Sequence, residues 1–233
     1  AHDLTSSLVG SEMCIRDSKV ASYEITDLPL IRRIARLHKP VILATGVAYL
    51  TDIERALAVC REEGNEDVLL MKCVSAYPTP YEDIHLNMMP TLGRTFGCLT
   101  GLSDHSMGNA VATAATALGA RMIEKHLTLR RADGGPDGSF SMEPEEFADM
   151  VRNIRAVENA LGDSDYHLTP VQVVEHGDCR SLFAAEDIAA GEELTPENVR
   201  SVRPGNGLHT MYYEEILGKK AACAIRKGTP MGW

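Results

Sequence analysis

No CxxC pair, no GxGxxG and no apolar run long enough to cross a bilayer occurs in the 233-residue sequence. Each absence narrows what the protein can do. Six cysteines are present (Cys14, Cys60, Cys73, Cys98, Cys179 and Cys223), and their spacing builds neither a zinc knuckle nor a disulfide framework. Cys60 and Cys73 lie in apolar segments, where a reduced thiol acts as a small hydrophobe. A reducing cytoplasm is therefore expected. No segment reaches the about 18 apolar residues of a membrane span. The first residues also lack the continuous apolar core of a signal peptide. Positive charge is in short supply too. Lys and Arg number 23 against 33 Asp and Glu, a formal charge of −10, which argues against nucleic acid and anionic membrane as partners. An acidic protein that binds an anion must gather local positive charge or backbone N–H groups.

What is present is an ordinary globular balance, 44% hydrophobic and 24% charged. The length suits one large domain, or a large one and a small one. From Lys19 the pattern is regular. "KVASYEI" reads as a strand and "DLPLIRRIARLHK" as a helix, with Leu30, Ile31, Ile34 and Leu37 at helical spacing. "PVILATG" and "DVLLMKCV" are short buried strands. Between them "TDIERALAVCREEG" is a helix with Thr51 or Asp52 as N-cap and Gly64 past its end. A Pro-rich loop, "SAYPTPYED", leads to a helix around residues 84–96, then "GLSDHS". "GNAVATAATALGA" is a small-residue helix and "MIEKHLTL" a strand. After a Gly-rich loop, "EPEEFADMVRNIRAVENALG" is an amphipathic helix. Apolar strands alternating with helices over short connections indicate a parallel sheet covered by helices. Polar residues cluster after each strand's carboxyl end, the catalytic edge of a β/α barrel. The competing open doubly wound sheet lacks its GxGxxG. Residues 163–178 read as a polar, aperiodic linker. From residue 179 to 233 a small second domain follows, whose "SLFAAEDIAAGEELTPENV" holds a short strand, a Gly-containing turn and a short helix capped by Thr195 with Pro196 at its first position.

His105 and His126 stand 21 residues apart, room for one helix and one strand. Both therefore fall at equivalent ends of adjacent strands. Two imidazoles with open positions suit a divalent metal, but loop histidines that only bond backbone fit the same spacing. Lys19 can hold a phosphate or carboxylate or be a solvated strand-end lysine, and Ser22 follows it. Asp137 lies in "GGPDGSFS", a loop over the site or a simple connection. Arg203, on the turn "RPGNG", can recognise a carbonyl or carboxylate or be a surface arginine. Lys72 and Lys125 lie in strands and keep a Schiff-base aldolase open as a different reading. A further reading is a non-catalytic protein whose small domain binds a partner or glycan.

Together "KVASYEI", "KPVILATG", "LLMKCVSAYPTPYEDIHL", "GLSDHS", "ALGARMIEKHLTL", "GGPDGSFSMEPEEF" and "RSLFAAEDIAAGEELTPENVRSVRPGNGL" resemble the sialic acid synthase family. The resemblance runs from Lys19 to Trp233. It implies an α/β fold: a partial TIM barrel over 19–162, then a small antifreeze-like SAF domain over 179–233. It also implies condensation of phosphoenolpyruvate with an N-acetylated amino-sugar aldehyde, releasing phosphate. "GGPDGSFSMEP" and "KGTPMGW" look most like the members that make pseudaminic acid from 2,4-diacetamido-2,4,6-trideoxy-altrose; N-acetylneuraminic and legionaminic acids are the alternatives.

By the same resemblance, His105 and His126 hold a divalent metal, manganese with magnesium or cobalt as alternatives. Lys19, Ser22, Ser75 and Ser103 fall on phosphoenolpyruvate-binding positions, Tyr77 and Asp137 on sugar-binding ones. Glu24 matches an acidic group near the aldehyde. Arg203 matches an arginine that reaches the neighbouring subunit's barrel in a domain-swapped homodimer. Ala44 stands where the family usually has Ser. Residues 1–18 match nothing in the family, and "SSLVGSEMCIRDS" reads as a translated adaptor. The family's first hundred or so residues, with their "NHxG" and "KFQ"-like motifs, are missing from the match. This chain alone is therefore expected to be poorly soluble and inactive.

Overall fold

The computed structural model describes residues 16–233, so most of the segment set apart as 1–18 lies outside the described residues. The chain divides into two compact units, 1–163 and 164–233.

The first unit is a five-stranded parallel sheet with the strand order of the sequence. Its strands are β1 (Ser18–Val20), β2 (Val41–Ala44), β3 (Val68–Cys73), β4 (Leu99–Asp104) and β5 (Ile123–Lys125). Helices α1 (Leu28–Ala35), α2 (Leu50–Glu62), α3 (Met88–Phe96), α4 (Ala110–Ala117) and α5 (Pro144–Leu161) complete it. Local chemistry sets their ends. The Asp27 carboxylate accepts the Leu30 N–H at 3.1 Å and opens α1. Tyr49 is the N-cap of α2, not Thr51 or Asp52; Asp52 sits one turn inside and accepts the Tyr49 N–H at 3.0 Å. Gly64 ends that helix at φ 72°. The helix expected around 84–96 begins at Met88, after a 3-10 turn at Tyr81–Asp83.

Side chains alternate across the sheet. Val20, Val41, Leu43, Val68 and Leu70 pack with Ile31, Ala35, Ile53 and Leu57 of α1 and α2. Ile31, Leu43, Leu57 and Leu70 are fully buried, each removal from water stabilising by about 1.5–3 kcal/mol. The opposite face carries Lys19, Cys73, Ser103 and Glu124. Cys73 pairs with Ser103 and Ser103 with Glu124, so three polar groups share one level across β3, β4 and β5. The sheet curls. Lys19 of β1 and Glu124 of β5 meet at 2.6 Å, although four strand spacings of about 4.8 Å separate their strands in a flat sheet. The unit is thus a half-barrel, concave toward its polar level.

The second unit holds an antiparallel sheet ordered β7 (Val199–Val202), β6 (Ser181–Ala184), β8 (Leu208–His209). Leu182, Ile188, Leu194, Val199, Ile216 and Met231 form its core. The stretch read as an aperiodic linker contains helix α6 (Pro170–His176), capped by Thr169, whose hydroxyl accepts from Gln172 N. Its valines are exposed, so no core-facing stripe marks it, and the capping box with Pro170 in the first turn is the local signal. The helix expected after Thr195 is a turn, with the Thr195 hydroxyl accepting the Glu197 N–H at 3.3 Å. A four-residue helix, α7 (Tyr213–Ile216), completes this unit.

Candidate active site

The polar level on the concave face grows from Cys73. Ser22 lies in the 3-10 turn after β1 and accepts the Gly46 N–H at 3.0 Å. A Cβ on Gly46 would meet Ser75 Oγ at 2.5 Å, Ser22 Oγ at 2.7 Å and Cys73 Sγ at 3.0 Å. The glycine thus floors a cradle edged by two hydroxyls and a thiol. Ser103 neighbours Cys73 on β4, and Ser103 and Lys19 both donate to Glu124 Oε1, at 2.7 and 2.6 Å. Ser75 Oγ and Glu24 Oε2 are buried with no hydrogen-bond partner among the described residues. Buried polar atoms are nearly always paired, so both have capacity for a further group.

The histidines stand beside this cradle. His105, 6% exposed, follows β4, and its Nδ1 lies 2.9 Å from the Val74 carbonyl and 3.8 Å from Cys73 Sγ. Donation from Nδ1 to that carbonyl leaves Nε2 as a lone-pair donor. The His126 ring centroid is 5.2 Å from that of His105. Asp137 Oδ2 lies 3.6 Å from His126 Nδ1. Tyr77 packs against His105 at 4.3 Å, and Phe140 against Tyr77 at 5.6 Å and His126 at 5.1 Å. The Thr79 N–H donates to the His105 carbonyl at 3.0 Å and ties the Pro-rich loop to this corner.

The charges sort by environment. Burial favours the neutral Glu124 carboxyl, but Lys19 and Ser103 outweigh it and hold the group below the usual carboxylate range. Burial likewise raises the Cys73 thiol, yet hydrogen bonds with His105, Ser103 and Ser22 bring it down overall. His105 is pushed down by burial and up, more strongly, by Cys73, the Val74 carbonyl and Glu124. His126 falls, through burial and then the neighbouring His105. A cluster of close titratable groups pushed in opposed directions is a functional-site candidate.

A divalent cation fits this donor set in part. With metal–nitrogen bonds of about 2.1 Å, centroids 5.2 Å apart admit one ion between two imidazoles. No group of three or more His, Cys, Asp or Glu placed to hold a metal exists among the described residues. Such an ion would take its remaining ligands from water or substrate.

Nine of the ten residues singled out from the sequence lie on the first unit. Lys19, Ser22, Ser75, Tyr77, Ser103, His105, His126 and Asp137 are linked through the contacts above, and Glu24 closes the 3-10 turn that begins at Ser22. Arg203 belongs to the second unit, exposed before Pro204. Lys72 and Lys125 do not join the cluster. Strand alternation puts both on the sheet's other face, where Lys72 Nζ donates to the Cys73 carbonyl at 2.9 Å and Lys125 pairs with Asp104. Sequence reasoning missed Glu124 and Cys73, and it placed Gly46 at the carboxyl end of its strand without giving it a role. The E of "EKH" was the available signal for Glu124; Cys73 depends on strand register, and the role of Gly46 on a close approach that no motif displays.

A curled parallel β/α sheet with a polar carboxyl edge, followed by a small antiparallel domain, defines a barrel enzyme class with an appended module. The sequence matches the NeuB family over residues 2–166 and the SAF domain over residues 180–233, and the chain belongs to the NeuB family. The match takes in most of residues 1–18, which had been set apart. Pseudaminic acid synthase of Helicobacter pylori is 44% identical over 214 residues, covering 91% of this chain and 63% of that protein. N,N'-diacetyllegionaminic acid synthase of Campylobacter jejuni is 38% identical, covering 94% and 66%. The crystal structure of the Bacillus subtilis spore coat polysaccharide biosynthesis protein SpsE aligns with a TM-score of 0.60 at 34% identity, covering 93% of this chain and 66% of that one. The chain thus spans less than two thirds of the length of these relatives.

Proposed function

We propose that the protein is a synthase that condenses phosphoenolpyruvate with the open-chain aldehyde of 2,4-diacetamido-2,4,6-trideoxy-altrose, giving pseudaminic acid and inorganic phosphate. The observation that carries this reading is the cradle of Ser22, Ser75 and Gly46 around Cys73, with Lys19 and Ser103 beside it and two histidines at its rim. In an acidic chain this level gathers the donors an anion needs.

Lys19 and the hydroxyls of Ser22, Ser75 and Ser103 bind the phosphate and carboxylate of phosphoenolpyruvate in this reading. Glu124, kept ionised, orients Lys19 and Ser103 and yields them when the anion arrives. Tyr77 and Asp137 flank the sugar, and the unpaired Glu24 carboxylate faces the aldehyde end. Carbon C3 of phosphoenolpyruvate bonds to the aldehyde carbon, whose oxygen takes a proton, and water adds its oxygen to C2. The bond between C2 and the bridging oxygen breaks, so that phosphate leaves with that oxygen and C2 becomes the ketone as the added water gives up its protons. A divalent cation held by His105 and His126, manganese with magnesium or cobalt as alternatives, would polarise the aldehyde oxygen and acidify the water. The residues' contribution is positioning and charge stabilisation. On the family resemblance, Arg203 serves the neighbouring subunit's site in a domain-swapped homodimer. The reading includes a cytoplasmic setting, with Cys179 and Cys223 exposed as free thiols. No helix among the described residues is long and apolar enough to cross a membrane.

Phosphate release from phosphoenolpyruvate, manganese and a panel of acetamido sugars tests this, with the protein completed to its relatives' length. Turnover with the diacetamido-altrose sugar is expected, and its loss in His105→Ala and His126→Ala. Absence of turnover with every sugar, or unchanged turnover in both variants, refutes it. The 233-residue chain by itself is expected to turn over nothing.

A further inference from the structure

Directly behind the two histidines, on the opposite face of the sheet, lies a charged cluster with no part in the chemistry above. Lys125 precedes His126 and Asp104 precedes His105. Their side chains are 1% and 2% exposed, and Lys125 Nζ donates to Asp104 Oδ2 at 2.7 Å. The same ammonium donates to the carbonyl of Ser106 at 2.5 Å. Asp104 Oδ1 accepts both the backbone N–H and the hydroxyl of Ser106, at 2.9 and 2.6 Å. His105 is therefore bracketed: the residues before and after it are bound to each other and to the residue before His126.

The position of this cluster in the ladder gives it a purpose. β5 is three residues long, and Asp104 opposite Lys125 is the last pair in the β4–β5 register. Each histidine lies one residue beyond that pair, where the regular ladder has stopped. A side-chain tie takes over there. A buried ion pair is a poor source of stability, because desolvation offsets most of its attraction, and apolar residues of the same shape serve folding as well. A charged, multiply bonded tie at this place is suited to holding the two strand ends in one register.

We propose that Asp104, Ser106 and Lys125 form a positioning clamp that sets the spacing of His105 and His126 for a divalent cation. The clamp rests on the two-histidine reading above. Groups hydrogen-bonded directly to a metal-ligating imidazole contribute about 10- to 100-fold to metal affinity; the clamp acts on the backbone that carries both imidazoles, and an effect up to that size is expected.

The test separates folding from positioning. Manganese affinity by calorimetric titration, and the melting temperature without metal, are measured for the protein completed to its relatives' length and its variants. Lys125→Met and Asp104→Leu each strand one buried charge, so each is expected to lower both quantities. The double variant removes both charges. It is expected to recover most of the melting temperature while its manganese affinity stays below wild type, by up to about 10- to 100-fold. A double variant with wild-type affinity overturns the clamp. Should the double variant not recover a melting transition, Ser106→Ala removes one strut and leaves the ion pair; it is expected to lower the melting temperature less than either single charge variant and still to weaken manganese binding, and unchanged affinity again overturns the clamp. A wild-type chain that binds no manganese, or His105→Ala and His126→Ala variants that bind it normally, overturn the two-histidine reading and the clamp with it.

Discussion

Gly46→Ala probes the cradle with a single methyl group. Gly46 has no left-handed φ, so the backbone accepts alanine without strain and the whole effect lies in the space above it. Ordinary contact begins at 3.4 Å, and the new Cβ would stand 2.5 Å from Ser75 Oγ, 2.7 Å from Ser22 Oγ and 3.0 Å from Cys73 Sγ. The two hydroxyls must retreat by about 0.9 and 0.7 Å and the thiol by about 0.4 Å. Overpacking of this kind costs about 1–3 kcal/mol, which lowers the melting temperature by about 2–12 °C in a unit of this size. Binding suffers more. Two hydroxyls turned away from an anion, at about 1.5–3 kcal/mol for each hydrogen bond to a charged group, reduce phosphoenolpyruvate affinity at least about 100-fold. The assay is the KM for phosphoenolpyruvate in the protein completed to its relatives' length, with the melting curve of the same sample. A Gly46→Ala protein with wild-type KM would falsify the cradle as the phosphoenolpyruvate site, whatever its stability.

Other outcomes follow from the same structure. Ala44→Ser restores a hydroxyl at the end of β2, where the side chain is 1% exposed; a gain of about 1 kcal/mol appears as a severalfold lower KM for phosphoenolpyruvate, and an unchanged KM removes that position from the binding set. Arg36 and Arg32 hold the Glu63 carboxyl below its ordinary value. A depressed carboxylate stabilises above its unfolded value and stops doing so as pH falls through its folded one, so urea midpoints should drop on acidification in wild type and less steeply in Glu63→Gln. Equal slopes refute the clasp between α1 and α2. Burial pushes the Cys60 thiol up to about 11. Iodoacetamide at pH 8 is expected to label the exposed Cys179 and Cys223 and to spare Cys60 until the protein unfolds, as read by peptide mass spectrometry.

The parallel sheet was legible because its strands are continuous apolar runs punctuated by Gly and Pro, and the helices because Ile31, Ile34 and their kind recur at helical spacing. The positions of His105 and His126 followed from counting one helix and one strand between them. The serines, tyrosine and acids of the site came from family motifs, not from spacing. What escaped is what depends on register. Nothing local says that Cys73, Ser103 and Glu124 share a level, or that Lys125 faces away from the site while Glu124 faces into it. The α6 helix escaped for a different reason: its valines are exposed, so no core-facing stripe exists to betray it.

The ion pair between Lys19 and Glu124 joins residues 105 positions apart in the chain. Closing so long a loop is entropically slow, and contacts of this separation form after local ones. The first and last strands can meet only once β2, β3 and β4 have ordered between them. Assembly of the anion-binding level is therefore a late event in folding. A probe at Lys19 or Glu124, such as the rate at which refolding protein regains ligand binding, should lag behind the recovery of helical signal from α1 and α2.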